Sequence, residues 1–505
     1  MLRSTITVSF LAALGTAISL LNQLVLARYF GTTGEMDSYL ISISLPLTIS
    51  SLLAGVFSYQ LVPALQRADL GAGGADSLIR SLAQGVGWVT LAIGIIGAIA
   101  SGPLIQLLNP KLPNTEYELT SRLAHITWLC LPFAAVSTIF TAGLHVRNRF
   151  IISTMLAFSP MAVSLLACVL GHSQFGVSAA VVGQFAGYVL MAVGLKWALR
   201  TEGKEKDWPS FRRVLLRLPL ALGAVLIFVI FPFSDAFWGS RIGPAAVSYL
   251  GFAQRILVGL SGLAVVGATT VLFPRLAKLA AKGEADEMRK DLRLSIRAML
   301  ACMVPLSTAF GVLAMPIVRL LFERGAFRHS DSVALSGLIQ LMLVGMIAMS
   351  CMGLLFKGVF AREEAGFAAF LSLFGSCIYF GFSGVLGMSS GIQGIGYAYS
   401  AAWWIIFIIG LRHIWSGKPL IAFVRAAMAY AVSLICLALV VALVCCLGFR
   451  VIELVSGAAQ VLQATIICAT IGLALITSLL VGNYFFAVPE IQVFYRHFFA
   501  FVRRW

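Results

Sequence analysis

The sequence predicts an all-α polytopic membrane protein of about fourteen transmembrane helices, arranged as two six-helix lobes in parallel repeat plus two C-terminal helices. Three observations carry this. The 505 residues are 60% hydrophobic and 11% charged, where a soluble domain has roughly 25% charged residues. Apolar runs of at least the roughly 20 residues that a bilayer requires follow one another from end to end. The 36 Lys and Arg residues gather between alternate runs, as a positive-inside topology demands.

The runs, marked by charged and Gly/Pro breaks, begin with 5–30, 36–66, 78–108, 120–146, 151–171 and 174–199. The first follows Arg3 and reads on through Leu26 without a small-residue cleavage site, so it is expected to be a retained span and not a signal peptide. A second group covers 214–238, 243–274, 294–322, 331–360, 364–388 and 392–412, and two more follow at 420–448 and 455–486. With the N-terminus in the cytoplasm, 27 of the cations fall near the cytoplasmic side and 8 near the outside, and Arg255 is the one placed deep inside a run. That bias places both termini in the cytoplasm. The basic clusters at 196–217 and 275–297 read as topology signals with affinity for anionic lipid headgroups. No aromatic-basic module accompanies them, which argues against nucleic acid as a partner. The nine cysteines lie in apolar runs without metal-ligand spacing and read as buried free thiols.

A duplication is written into the chain. Ser38-Tyr39-Leu40 aligns with Ser248-Tyr249-Leu250 at an offset of 210, and LVPAL (61–65) with LFPRL (272–276) at 211. GPLIQLL (102–108) aligns with MPIVRLL (315–321) at 213, and Arg147 with Arg362 at 215. Ordered matches with a slowly growing offset indicate a repeat. Its unit of six spans is even, so both copies share one orientation, a transporter design in which two bundles rock about a central site. The expected domains are 1–200, a basic cytoplasmic linker 201–217, 218–415, and 416–505 with the last two spans and a cytoplasmic tail. The first hairpin of each copy carries glycines that suit a tight turn. The first copy, FGTTGEMDSYL, holds Glu35 and Asp37, whereas the second, WGSRIGPAAVSYL, is neutral at the equivalent of Asp37.

Polar residues inside spans are costly and are therefore functional candidates. Arg255, beside Gln254, requires water, an acid or an anion; a guanidinium suits phosphate oxygens because it donates two parallel hydrogen bonds. Asp37 reads as either its partner or a loop cap, and Asp235 as either an interfacial acid or an ion-coupling carboxylate. Asn22 and Gln23, with Thr16 a helical face away, suit helix packing. Ser50 and Ser51 face either the bundle centre or another helix. No enzyme constellation appears: the six histidines are scattered, and there is no phosphate-binding glycine loop with its lysine and no H-E-x-x-H. Transport, without an ATPase motif, is expected to draw on a gradient, a potential or mass action.

The segments LARYFGTTGEMDSYLISISLP, FSYQLVPAL, HVRNRF and VSYLGFAQRI…LFPRLAKLAAKGEADEMRKDLRLSIR resemble the MurJ/MviN lipid II flippases of the multidrug/oligosaccharidyl-lipid/polysaccharide exporter superfamily. The resemblance implies two lobes around a cationic cavity, with a hydrophobic groove at the last two helices for a polyprenyl tail. It implies a lipid-linked glycan substrate, an undecaprenyl-pyrophosphate saccharide, moved to the outer leaflet of the bacterial inner membrane, with membrane lipids and glycan-synthesis enzymes as partners. By the same resemblance Arg255 contacts pyrophosphate, Asp37 matches the acid opening the second span, and Arg28 and Arg149 match basic positions. Asp235 matches a carboxylate that binds sodium in some members; coupling to Na+ or H+ is the implied alternative to any bound cofactor. The chain departs from the family where arginines of the first two spans give way to Thr16, Asn22, Ser50 and Ser51. Each desolvated charge-assisted contact contributes on the order of 1.5–3 kcal/mol, so a cavity with one arginine holds a doubly charged headgroup less tightly. The readings open from sequence are a lipid II flippase, an exopolysaccharide-unit flippase, a MATE-like exporter of small amphipathic compounds, and a non-transporting scaffold.

Overall fold

The computed structural model describes residues 2–69, 74–110, 112–147, 149–199, 223, 226–281, 284–362, 364–415, 420–454 and 460–484. Among these residues there is no strand. The first helices are α1 (Leu2–Phe30), α2 (Gly34–Asp69), α3 (Gly74–Ile99), α4 (Ser101–Leu108) and α5 (Asn114–Val146). They continue as α6 (Phe150–Ala157), α7 (Ser159–Phe175), α8 (Ser178–Leu199), α9 (Ile227–Ile242) and α10 (Ala246–Ala281). The remainder are α11 (Ala285–Val312), α12 (Ala314–Phe322), α13 (His329–Ala361), α14 (Ala365–Ile414), α15 (Leu420–Leu454) and α16 (Gln460–Tyr484).

Helix is the conformation hydrocarbon imposes, because a backbone group that finds no partner there costs several kcal/mol. Nine helical stretches among the described residues are long and apolar enough to cross a bilayer. Their outward faces are apolar as well: Trp88, Leu170 and Trp197 are each more than 70% exposed, a surface suited to lipid and not to water. The chain is a multi-pass membrane protein.

Several predicted runs are divided. The run 78–108 is α3 and α4, which meet at Ala100; 151–171 is α6 and α7, which meet at Phe158; and 294–322 is α11 and α12, which meet at Leu313. The runs 364–388 and 392–412 are the two helical segments of α14, which meet at a kink where the sequence places their boundary. The backbone leaves helical geometry there at Ser390 and Gly391, the latter with φ +62°. The linker 201–217 and the tail beyond 484 lie outside the described residues.

Packing divides the chain into two compact units. One comprises residues 1–255, 324–328 and 372–392; the other comprises 256–323, 329–371 and 393–505. In the first, Leu78 and Leu82 of α3, Ala135 and Ile139 of α5, and Leu195 and Leu199 of α8 form a buried cluster. In the second, Ala309 of α11, Ile317 of α12, Val441 and Cys445 of α15, and Ile467 and Ala474 of α16 form another. Lipid tails are as apolar as leucine, so close packing and polar contacts, not water exclusion, hold such helices together.

Close packing of this kind joins α7 to α8. Gly183 and Gly187 are spaced as a G-x-x-x-G pair on α8. A Cβ on Gly187 would stand 2.5 Å from Pro160 Cα, and one on Gly183 would stand 2.8 Å from Val163 O. At this approach the Ser159 hydroxyl donates to Gly187 O (3.1 Å) and the Ser164 hydroxyl to Ala180 O (2.9 Å). The α8 backbone is thereby fixed against α7, and so are Gln184 and Tyr188, each one residue beyond a glycine.

Candidate functional site

Three polar assemblies lie within the first unit, and each rests on the helix starts and breaks described above. The first is at the hairpin between α1 and α2. Gly31 turns the chain with φ +57°, and a Cβ there would stand 2.7 Å from Ala326 O. Asp37, in the first turn of α2 and 5% exposed, caps a different helix. Its Oδ2 accepts the Ala245 N–H (2.8 Å), and its Oδ1 accepts both the Ser248 N–H (2.9 Å) and the Ser248 hydroxyl. These are the N–H groups that the start of α10 leaves without intrahelical partners. Asp37 is therefore the cap of the two sequence alternatives, not the partner of Arg255. The acid of the first hairpin thus serves the turn of the second.

The second copy's turn differs from the sequence expectation. Gly243 is extended, with φ 168°, and the left-handed position falls on Ala245, with φ +64°. A non-glycine residue there costs about 1–2 kcal/mol, which the bond from Ala245 N–H to Asp37 offsets. Two further contacts reinforce this end. The Ala326 N–H donates to Arg28 O (3.0 Å), and the Ser240 hydroxyl donates to Asn109 Oδ1.

The second assembly surrounds Asp235, which is 5% exposed on α9. Its Oδ1 accepts the Tyr379 hydroxyl and its Oδ2 accepts Gln254 Nε2 at 2.9 Å. Nearby on the same two helices, Ser234, Trp238 and Ser383 bury polar atoms that have no hydrogen-bond partner. A sodium ion takes its ligands from oxygen acceptors. Asp235 instead faces two donors, which satisfy an ionised carboxylate and already engage both of its oxygens.

The third assembly surrounds Arg255. Arg255 is half-buried, and its charge acts on the Tyr39 hydroxyl. Tyr39, fully buried on α2, donates in turn to Gln184 Oε1 at 3.5 Å, and the Gln184 amide is bonded to Tyr188. None of the ion pairs among the described residues involves Arg255.

The remaining sequence candidates are dispersed. Gln254 serves Asp235 and not its neighbour Arg255. Asn22 is fully buried, its Nδ2 3.6 Å from Met161 Sδ and its Oδ1 without a partner. Thr16 and Ser51 are exposed and Ser50 is half-buried. The Arg28 side chain is exposed at the end of α1. Arg149 Nη1 donates to Ala198 O (3.0 Å), closing the C-terminal end of α8. There a cation also complements the helix dipole.

Sequence reasoning missed Tyr39, Gln184, Tyr188 and Tyr379. Tyr39 served only as a repeat marker, while the G-x-x-x-G pair, which places Gln184 and Tyr188, was a legible signal of a close helix contact.

The sequence model of the family described as lipid II flippase MurJ matches residues 26–474. A probable lipid II flippase MurJ from Rhizobium meliloti is 27% identical over 379 residues, 70% of this chain and 69% of that protein. Another, from Buchnera aphidicola, is 23% identical over 457 residues, 87% of this chain and 88% of its own length. A solved structure of lipid II flippase MurJ in an inward closed conformation superposes with a TM-score of 0.76 at 19% identity, covering 96% of this chain and 99% of that one. At that identity the likeness establishes the fold.

Proposed function

The chain belongs to the lipid II flippase MurJ family, and on that premise we propose that it moves an undecaprenyl-pyrophosphate-linked saccharide, lipid II, from the inner to the outer leaflet of the bacterial cytoplasmic membrane. It is a transporter and not an enzyme. Fourteen spans in two six-helix lobes plus two C-terminal helices, with both termini cytoplasmic, provide the alternating access. The observation that carries this reading is the charge state of the interior. Arg255 has no acid among the described ion pairs, while Asp37 and Asp235 are engaged elsewhere. An uncompensated guanidinium within a membrane calls for an anion, and pyrophosphate oxygens match its donor fork. The same arrangement disfavours an exporter of cations, which needs a free carboxylate.

Exposed polar side chains within spans face water in preference to lipid. Thr16 and Ser51, both exposed, are assigned on this ground to the aqueous path. The Asp37 cap and the Arg28–Ala326 contact hold one end shut, and their release opens the site outward. Asp235 couples that motion to a proton, since it links α9, α10 and α14 through Gln254 and Tyr379.

The test is complementation. Cells depleted of their lipid II flippase should grow when this chain is expressed and fail when it carries Arg255→Ala at equal membrane abundance. Growth failure with the wild-type chain would reject lipid II as substrate, and full growth with the variant would remove Arg255 from the mechanism.

A further inference from the structure

We propose that Tyr39 and Gln184 are positioning residues for Arg255, aiming its guanidinium through neutral contacts so that its positive charge stays available to an anionic headgroup. The inference rests on the reading of Arg255 as the anion contact and adds the residues that make that contact effective.

Three observations lead to it. The chain has 20 acidic residues, and those in the apolar runs with assigned candidacy, Asp37 and Asp235, have their oxygens occupied by Ala245, Ser248, Tyr379 and Gln254. The groups that receive Arg255 are instead a phenol and, behind it, an amide. The Tyr39 hydroxyl donates to Gln184 Oε1 at 3.5 Å, which leaves its oxygen able to accept from Arg255, whose charge acts on it. Finally, the relay is rigidly mounted. Tyr39 and Gln184 are 0% and 3% exposed, and Gln184 follows Gly183 where α8 lies on the backbone of α7.

The physical logic is a choice of neutral over charged acceptor. A guanidinium left without partners in a membrane is costly. A carboxylate would remove that cost but cancel the charge, and the substrate would then have to break an ion pair in low dielectric. A phenol and an amide lower the cost, fix the direction of the side chain and leave the net charge intact. Glutamine and glutamate have the same shape, so one atom at position 184 decides between these outcomes.

The experiment uses the full-length protein in detergent micelles, with geranylgeranyl pyrophosphate as probe and geranylgeraniol as the uncharged control. Tyr39→Phe should weaken binding of the pyrophosphate about tenfold, the value of one hydrogen bond in a charged network, and leave the alcohol unaffected. Gln184→Glu should weaken it as much as Arg255→Ala, whereas Gln184→Asn should retain most of it. Tyr39→Phe added to Arg255→Ala should have no further effect, which separates positioning from a merely structural role. Should Tyr39→Phe fail to fold, the Gln184 pair decides. Wild-type binding by Gln184→Glu and Tyr39→Phe, with Arg255→Ala impaired, would overturn the inference and leave the anion contact standing. Wild-type binding by Arg255→Ala would overturn both.

Discussion

The Tyr379 hydroxyl donates to the Asp235 carboxylate, joining α14 to α9 across 144 positions of sequence, while Gln254 donates to the other oxygen from α10. A carboxylate met only by donors is satisfied in its ionised form, and taking up a proton costs it one of those donors, so protonation loosens α9 from its neighbours. Replacing sodium with choline on both sides of a proteoliposome should therefore leave the flipping rate unchanged. Collapsing the proton gradient should lower it, and Asp235→Asn should abolish that response. A sodium requirement retained in the wild type would refute the assignment.

Removing the phenol alone tests the energetics. Tyr379→Phe keeps the ring packed against Phe231, 4.0 Å between centroids, but leaves a buried carboxylate one donor short. Stability should fall by about 1–3 kcal/mol, read as a lower thermal midpoint in detergent.

The Asp37 cap makes a paired prediction. Asp37→Ala should cost about 1–2 kcal/mol as a lost helix cap, since Ala245 and Ser248 lose their acceptor. Ala245→Gly should be stabilising by about 1 kcal/mol, because it relieves the left-handed strain. In the double variant the glycine should recover part of the loss. Thermal unfolding of the four proteins checks this.

Close approach of α7 and α8 predicts a contrast between glycines. Gly187→Leu places atoms where Pro160 Cα and Ser159 O already stand; overpacking of this kind costs about 1–3 kcal/mol or more. The variant should accumulate poorly in membranes and melt early. Gly259→Ala, with nothing within 4 Å of the new Cβ, should express and melt as wild type.

Arg255→Lys retains the charge and loses the planar fork. It should support growth of flippase-depleted cells more slowly than wild type and better than Arg255→Ala. Growth rate at matched expression orders the three.

Composition, run length and cation placement made the helical class legible because each reports directly on the solvent. The runs could not reveal the breaks at Ala100, Phe158 and Leu313, since an apolar chain pays little composition change for bending inside lipid. Gly391 was legible for the opposite reason: its φ of +62° suits glycine. At the site, Arg255 and Asp235 stood out as charges in apolar context. The roles of Tyr39 and Gln184 did not, because neutral polar residues acquire meaning only from what they face. Asp37 gave two readings from sequence, and only the position of Ser248, 211 residues away, distinguishes them.

That reach has a structural corollary. A side chain of the first hairpin completes the helix start that follows the second. A chimaera of two leading segments would bring surplus carboxylates to the junction, and one of two trailing segments would leave bare amides there. A segment ending before Ala245 would keep the carboxylate without the amides it caps, and one beginning after Asp37 would start α10 uncapped.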